Sequence, residues 1–326
     1  MIAQNQNNLF ITGGTGFFGK ALLRHWKRTR PSFKKIFILS RNPASFLKEY
    51  HGLIAELNVE FIQGDILEAS KISLNENIDY VIHAATDSTI GPSLGRLEVF
   101  NQIVKGTEEV LKFAVNHHCK RFLLTSSGAV YGPQPQDMDK IPESYMGGAD
   151  PLNPNNAYGL GKRSAEHLCA LYSQKFGFSY VVARCFAFVG VDLPLNAHYA
   201  IGNFIKNALE DSEIVIKGTG VDLRSYMAQS DLAMSLELLL INETNHNVFN
   251  VGSDKGYRIN DIALLVRDII NPNVDIIVQG KKLSNSKSSY IPDISRLKEM
   301  VHQCVFSSLE YEIKLIQKSY LNRKSV

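Results

Sequence analysis

Cysteine is scarce: four residues in 326, Cys119, Cys169, Cys185 and Cys304, stand far apart, without CxxC spacing and without histidines at metal-ligand intervals. That excludes a disulfide framework and a cysteine-based metal site, and reads as core thiols in a reducing compartment. No apolar run approaches the length that spans a bilayer. Charge of one sign is not concentrated either: 35 Lys and Arg against 32 Asp and Glu leave a net +3, spread along the chain. Neither a nucleic-acid surface nor a polybasic membrane segment is expected. The densest basic stretch, RHWKRTR (Arg24 to Arg30), reads as the solvated end of a helix, where cations are favourable. The opening MIAQNQNNLFITGG has no basic region followed by an apolar stretch, so a cytoplasmic location is the expectation. No internal repeat or low-complexity segment is present. With 44% hydrophobic and 21% charged residues, the chain has enough apolar material for a sizeable core and a second lobe.

Apolar runs of strand length alternate with helical patterns through the first half. Strands are expected at Leu9 to Thr12, Lys35 to Leu39, Val59 to Ile62, Tyr80 to His83, Phe122 to Ser126 and Tyr180 to Arg184. Helices are expected at Phe17 to Lys27, Leu97 to Asn116 and Ala157 to Phe176. This rhythm predicts an α/β fold: a doubly wound parallel Rossmann sheet with helices on both sides. After Arg184 the rhythm weakens and the chain becomes loop-rich. The expected division is a dinucleotide domain over 1–185, completed by about 222–252, and a smaller C-terminal lobe from 186–221 and 253–326. The Pro- and Gly-rich stretch YGPQPQDMDKIPESYMGGADPLNPNNA is a long loop between a strand and a helix, and such loops usually serve function.

LFITGGTGFFGKALL places Gly13, Gly16 and Gly19 between the first strand and an amphipathic helix. Glycines there let backbone N–H groups approach a pyrophosphate at the positive end of the helix. At the end of the second strand, where a carboxylate would hydrogen-bond the ribose hydroxyls of NAD, stand Ser40 and Arg41. A guanidinium suits a 2′-phosphate, so NADP(H) is favoured over NAD(H), with Arg41 in plain solvent as the other reading. Asp65, in QGDIL, follows a strand and is placed either to accept from an adenine amino group or to cap a turn. VIHAAT ends a strand in Ala84 and Ala85, small enough for close passage of a cofactor.

AYGLGK sets Tyr158 and Lys162 four residues apart at the start of a helix, so both side chains emerge on one face. An ammonium beside a phenol favours the phenolate and lets tyrosine act as acid or base near neutral pH. Ser127, at the end of the strand in TSSGAVYG, can hydrogen-bond the same substrate oxygen.

Taken in order, GGTGFFG, Gly64-Asp65, HAA from His83, NQIVKGT, TSSGAVYG, YGLGK followed by Glu166, RCF from Arg184, LRSYMAQSDLA and YIPDISR span nearly the whole chain. In this combination the chain resembles the extended short-chain dehydrogenase/reductase family, in particular its NAD(P)-dependent nucleotide-sugar epimerases and dehydratases. The resemblance implies a tightly held nicotinamide cofactor lined by Gly13, Gly16, Phe17, Phe18, Gly19, Ser40, Arg41, Asp65, Ile66, Ala84 and Ala85, with Tyr158 and Lys162. It implies a smaller lobe that binds a nucleoside-diphosphate sugar. Tyr158 is then the acid/base at the sugar hydroxyl, Lys162 holds the nicotinamide ribose, and Ser127 orients the sugar. Arg224 matches a diphosphate-binding arginine, Tyr290 a tyrosine lining the sugar pocket, and Asn203 an asparagine contacting the nucleotide; capping or packing explains the last two equally well. Asp231 is read as structural. Relatives pair the two long helices into a four-helix interface, so a homodimer is expected.

Two departures bear on the chemistry. Ala187 stands where relatives usually carry the asparagine of RxFN, so the phosphate grip differs, and His198 and Tyr199 are candidates to compensate. Gly128 and Ala129 stand where dehydratases of this family carry an Asp-Glu pair and decarboxylases a glutamate. With no titratable group there, hydride transfer at a sugar carbon, most simply C4, is left unless Glu143 or Asp150 supplies a carboxylate. Epimerisation ranks first, NADPH-dependent 4-ketosugar reduction second and 4,6-dehydration third. Epimerases conventionally keep NAD, so Ser40 and Arg41 pull toward the reductase. A catalytically idle dinucleotide-sensing or scaffold protein is the reading of another class.

Overall fold

The structure, a computed structural model, describes residues 6–86, 94–196, 199–280, 288–301 and 305–324. The alternating half of the chain folds as strand and helix in turn: β1 (Asn8–Thr12), α1 (Phe17–Thr29), β2 (Lys35–Ser40), α2 (Pro43–Ile54), β3 (Val59–Gln63), β4 (Tyr80–His83), α3 (Arg96–Asn116), β5 (Arg121–Ser127), α4 (Ala157–Phe176) and β6 (Ser179–Cys185). There follow β7 (Phe188–Val189), α5 (Ala200–Leu209), β8 (Ile214–Ile216), β9 (Leu223–Ser225), β10 (Met227–Ala228), α6 (Gln229–Ile241) and β11 (Val248–Val251). The chain continues through β12 (Gly256–Arg258), α7 (Ile259–Ile270), β13 (Ile276–Val278), β14 (Ser289–Tyr290), α8 (Ser295–Met300) and α9 (Leu309–Lys324).

Seven strands form the main sheet, in the order β11-β6-β5-β4-β1-β2-β3. The expected strands and helices are all present, most extended by one or two residues, and the doubly wound α/β class is what the apolar runs implied. Central strands such as β1 and β5 are buried at every position, because helices cover both faces of a parallel sheet. The edge strand β3 is only partly buried. The chain builds outward from β1 through β2 to β3, then returns to lay β4, β5 and β6 on the other side. The sequence therefore reverses direction between the C-terminal ends of β1 and β4, the place where ligands of such sheets bind.

The chain divides into two compact units. One comprises residues 1–132, 147–185 and 233–249; the other comprises 133–146, 186–232 and 250–326. The first has a core of Phe10, Phe37, Phe113, Phe122 and neighbouring aliphatics. Cys119, Cys169 and Cys185 are buried free thiols, as expected; Cys304 lies outside the described residues. The Arg24 to Arg30 stretch closes α1, with Lys27 and Arg28 in its last turn. The second unit is built around Phe204, Ile205, Ile262, Val266, Ile313 and Ile316, from α5, α7 and α9. Its small sheets are β12-β9-β14, β13-β8 and β10-β7. Helices α2, α5, α6, α8 and α9 were not legible in the sequence. No helix among the described residues is long and apolar enough to cross a membrane.

Candidate active site

At the reversal point two predicted segments meet. Gly13 adopts φ +76°, and a Cβ there would lie 2.6 Å from the Ala84 carbonyl carbon and 2.7 Å from the Ala85 nitrogen. The turn after β1 thus passes directly over the end of β4, which explains both the glycine and the small residues beside it. Gly19 has the same logic: its Cβ would sit 2.2 Å from the Gly14 backbone, so only glycine lets α1 start this close to the turn. Gly16 precedes α1, no side chain caps the first turn, and no acidic residue stands in it. An uncapped helix N-terminus under a glycine turn fits the pyrophosphate of a dinucleotide. Gly13→Ala is expected to destabilise the protein by more than about 1 kcal/mol and abolish dinucleotide retention, checked by urea unfolding and by cofactor content after purification.

Ser40 ends β2, and its hydroxyl accepts from the Asn42 N–H at 3.3 Å; Arg41 is exposed beside it. Asp65 accepts the Leu67 N–H at 2.9 Å and so performs the capping role that was its second reading. Ile66 packs against Gly106 of α3. Phe17 and Phe18 open α1, with ring centroids 6.0 Å apart.

The start of α4 is placed against the end of β5. Ser127 is buried, and its Oγ accepts the Ala129 N–H at 3.1 Å, capping the short turn Gly128–Tyr131. Tyr158 packs against the core of the first unit. Lys162 lies 3% exposed, with Nζ 6.0 Å from the Tyr158 ring centroid, and donates to Thr86 Oγ1 at 2.7 Å and to the Thr125 carbonyl at 2.8 Å. An ammonium with neutral acceptors in so dry a place is destabilised: burial lowers its pKa to about 8. Its folded pKa lies below its unfolded value of 10.5, so the burial penalty is complete below pH 8 and vanishes by pH 10.5. Ligand-free wild type should therefore gain about 2 kcal/mol of stability relative to Lys162→Met between pH 7 and pH 10, measured by urea unfolding at each pH.

Beneath Lys162 lies a chain of hydrogen bonds with one consistent direction. Thr12 Oγ1 accepts from the Ala85 N–H at 3.2 Å and donates to His83 Nδ1 at 2.7 Å. His83 Nε2–H then donates to Thr107 Oγ1 at 3.1 Å, because the Thr107 proton is committed to the Ile103 carbonyl at 2.7 Å. The ring is thereby assigned as the neutral Nε2–H tautomer. Burial, with the Lys162 charge, pushes its pKa down to about 3. Thr12, Thr86, Thr107 and Thr125 escaped the sequence reading; for Thr12 and Thr125 a threonine closing an apolar buried run is the signal that marks them, whereas Thr86 and Thr107 stand in no such run.

In the second unit, Arg224 and Tyr290 are register partners on β9 and β14. Arg224 donates from Nη1 to the Leu223 carbonyl at 2.8 Å and the Ser288 carbonyl at 3.1 Å, and from Nη2 to Ser288 Oγ at 3.4 Å. Tyr290 lies 4.6 Å, centroid to centroid, from Phe186. Asn203 is on a different element, α5, where its N–H donates to the Tyr199 carbonyl. Asp231 accepts the Ser307 N–H at 2.7 Å. Ala187 gives its carbonyl to the Met227 N–H, while His198 lies outside the described residues. The two loop carboxylates that could have replaced the missing Asp-Glu pair have other tasks. Glu143, its side chain 4% exposed, accepts the Asn250 N–H at 2.9 Å with Arg296 at 3.7 Å, and Asp150 accepts the Leu152 N–H at 2.9 Å.

A doubly wound sheet with a glycine turn at its reversal point and a Tyr/Lys pair opening the helix beside β5 defines a Rossmann-type dinucleotide enzyme of the extended short-chain dehydrogenase/reductase kind. The chain belongs to the NAD dependent epimerase/dehydratase family, whose model matches residues 9–252. It is 27% identical over 308 residues to the trifunctional UDP-glucose 4,6-dehydratase/UDP-4-keto-6-deoxy-D-glucose 3,5-epimerase/UDP-4-keto-L-rhamnose-reductase RHM1 of Arabidopsis thaliana, covering 92% of this chain and 45% of that protein. It is 28% identical over 283 residues to dTDP-D-glucose 4,6-dehydratase of Dictyostelium discoideum, covering 83% and 64% respectively. The chain thus spans about half to two thirds of the length of these curated relatives. Its fold is similar to that of UDP-glucuronic acid 4-epimerase from Bacillus cereus, solved with UDP-glucuronic acid and NAD: TM-score 0.79, 23% identity, 97% of this chain and 99% of that one.

Proposed function

We propose that the protein epimerises a nucleoside-diphosphate sugar by hydride transfer at C4, with Tyr158 as acid/base. The observation that carries this reading is the Tyr158/Lys162 pair beside Ser127, followed by Gly128 and Ala129, which have no proton to give or take. The usual carboxylates of water elimination are missing at Gly128 and Ala129, and Glu143 and Asp150 accept the backbone N–H groups of Asn250 and Leu152. The solved relative's UDP-sugar and NAD, and the UDP- and dTDP-sugar names of the curated relatives, support the substrate class.

In this reading a bound nicotinamide dinucleotide supplies the hydride acceptor and donor. Tyr158 takes the proton of the C4 hydroxyl as the carbon loses its hydride, and returns a proton to the same oxygen when the 4-keto sugar is reduced on its other face. Ser127 donates its hydroxyl proton to that oxygen. Lys162 holds the nicotinamide ribose and favours the phenolate electrostatically. The first unit holds the dinucleotide through Gly13, Gly16 and the start of α1. Arg224 and Tyr290 serve the diphosphate and the sugar, with Asn203 at the nucleotide. Ser40 and Arg41 favour NADP over NAD, and they also favour a second reading, an NADPH-consuming 4-ketosugar reductase. Buried free cysteines accord with a cytoplasmic setting.

The test is incubation of the purified protein with nucleoside-diphosphate sugars and their 4-keto derivatives, with and without NADPH, and extraction of any bound dinucleotide. Conversion without net cofactor change supports epimerisation, and NADPH consumption supports reduction. Release of a 4-keto-6-deoxy sugar refutes the reading of Gly128 and Ala129. A homodimer through α3 and α4, which leave Leu97, Leu171 and Phe176 exposed, belongs to the same proposal. Sedimentation equilibrium should give twice the chain mass of 36.4 kDa, and a monomer contradicts it.

A further inference from the structure

We infer that Glu166 is the positioning residue of this site: it locks α4 to β5 and β6 in the register that sets Ser127 against Tyr158 and Lys162, and Arg184 in turn holds Glu166. The inference rests on the assignment of Ser127, Tyr158 and Lys162 as the working set.

Tyr158, Lys162 and Glu166 recur every four residues on α4 and share one face. Glu166 is 11% exposed at its side chain and Arg184 15%, so their charges meet largely away from water. Glu166 Oε1 accepts the Ser126 hydroxyl at 2.5 Å and Arg184 Nε at 3.0 Å; Oε2 accepts Arg184 Nη2 at 2.7 Å. The Arg184 guanidinium carbon lies 4.6 Å from the Tyr131 ring centroid. Lys162 already grips the Thr125 carbonyl. Helix α4 is therefore hitched to β5 at two successive residues, Thr125 by Lys162 and Ser126 by Glu166, and the next residue is Ser127. The turn that Ser127 caps ends at Tyr131, under Arg184. Polar contacts thus bracket the candidate serine on both sides, and each carboxylate oxygen is used. A paired, hydrogen-bonded charge is tolerated in such a place, whereas one stripped of its partner is not.

The charges give this frame a signature that packing alone does not. Lys162 is faced by Tyr158, Glu166 and Cys169 on α4, by Cys185 on β6 and by His83 on β4, with Thr86 and the Thr125 carbonyl bonded to it. Burial pushes both thiols well above neutrality, Cys185 to about 12, and keeps His83 neutral. Among these groups Glu166 is the carboxyl that acts on Lys162, and it is paired with Arg184. Glu166→Gln removes the carboxylate that favours the Lys162 charge and makes its ammonium harder to keep. Arg184→Met leaves Glu166 to act on Lys162 alone and makes it easier.

The experiment compares wild type, Glu166→Gln, Arg184→Met and the milder Ser126→Ala. The Lys162 titration is followed in ligand-free protein by NMR of 13Cε-labelled lysine, its signal identified by its loss in Lys162→Met. Expected are a fall of roughly half a pH unit or more in Glu166→Gln and a rise in Arg184→Met. On a substrate that wild type turns over, Ser126→Ala should lower kcat by roughly threefold to tenfold at unchanged KM, and Glu166→Asp should recover part of what Glu166→Gln loses. Titrations that move in the same direction, or do not move, overturn the inference, as does wild-type kcat in both Glu166→Gln and Ser126→Ala. The titration needs no substrate, so opposite shifts in a protein that converts no sugar would uphold the frame and refute the proposed function.

Discussion

Replacing Tyr158 by Phe should lower turnover by roughly two to four orders of magnitude, the range that a positioned acid/base supplies, while dinucleotide content stays at the wild-type level. The change removes one oxygen and leaves the ring packed against the core. Lys162 keeps both of its bonds, to Thr86 and to the Thr125 carbonyl, and neither runs through Tyr158. A loss confined to kcat would place the phenol in the proton transfer. Turnover assays on the best nucleoside-diphosphate sugar, with cofactor content read by absorbance, separate this from a folding defect. An idle sensor or scaffold on the same fold requires Tyr158→Phe to leave every measurable activity unchanged.

The second large effect is on stability in acid. His83 is held neutral in the folded state, with a pKa of about 3 against 6.5 in the unfolded chain. The unfolded state therefore takes up a proton as pH falls below 6.5, whereas the folded state resists until about pH 3, so stability is lost over that interval. From pH 7 to pH 4 the loss due to this residue is about 3 kcal/mol. Asn at position 83 can still accept from Thr12, gives up the bond to Thr107, and does not titrate. His83→Asn should start less stable at pH 7 and then decline less steeply, so that its difference from wild type changes by about 3 kcal/mol by pH 4. Urea unfolding of ligand-free protein at several pH values measures this, and parallel curves would show that His83 is protonated in the fold.

These two predictions draw on different parts of what the sequence disclosed. Tyr158, Lys162 and Ser127 were legible because spacing on a helix and the end of an apolar strand fix where such side chains emerge. Gly13 and Ala84 were legible separately, and their contact followed only when the sheet order put β1 beside β4. Asp65 shows the limit of local pattern: an aspartate after a strand reads as ligand or cap, and the bond to Leu67 N–H supplies the cap. The His83 network was illegible because its members lie in three places along the chain, at Thr12, at His83 and Ala85, and at Thr107, and are joined only by strand pairing and a helix crossing. Helix α6 was missed for a related reason: its residues are apolar around most of the circumference, which leaves no amphipathic period to detect. The excursion 133–146 read as a loop, yet it belongs to the second unit, where Ile141 pairs with the segment around Pro292 and Asn250 donates to the Ile141 carbonyl. Long-range pairing of that kind leaves no mark in local composition.

Epimerisation as proposed oxidises and re-reduces one sugar carbon without eliminating water. A nucleoside-diphosphate sugar carrying deuterium at C4, turned over in ordinary water with catalytic amounts of enzyme and no added NADPH, tests it most directly. Deuterium retained at C4 in both epimers is the predicted result; loss of the label from C4, or a product with the hydroxyl at C6 removed, would contradict it.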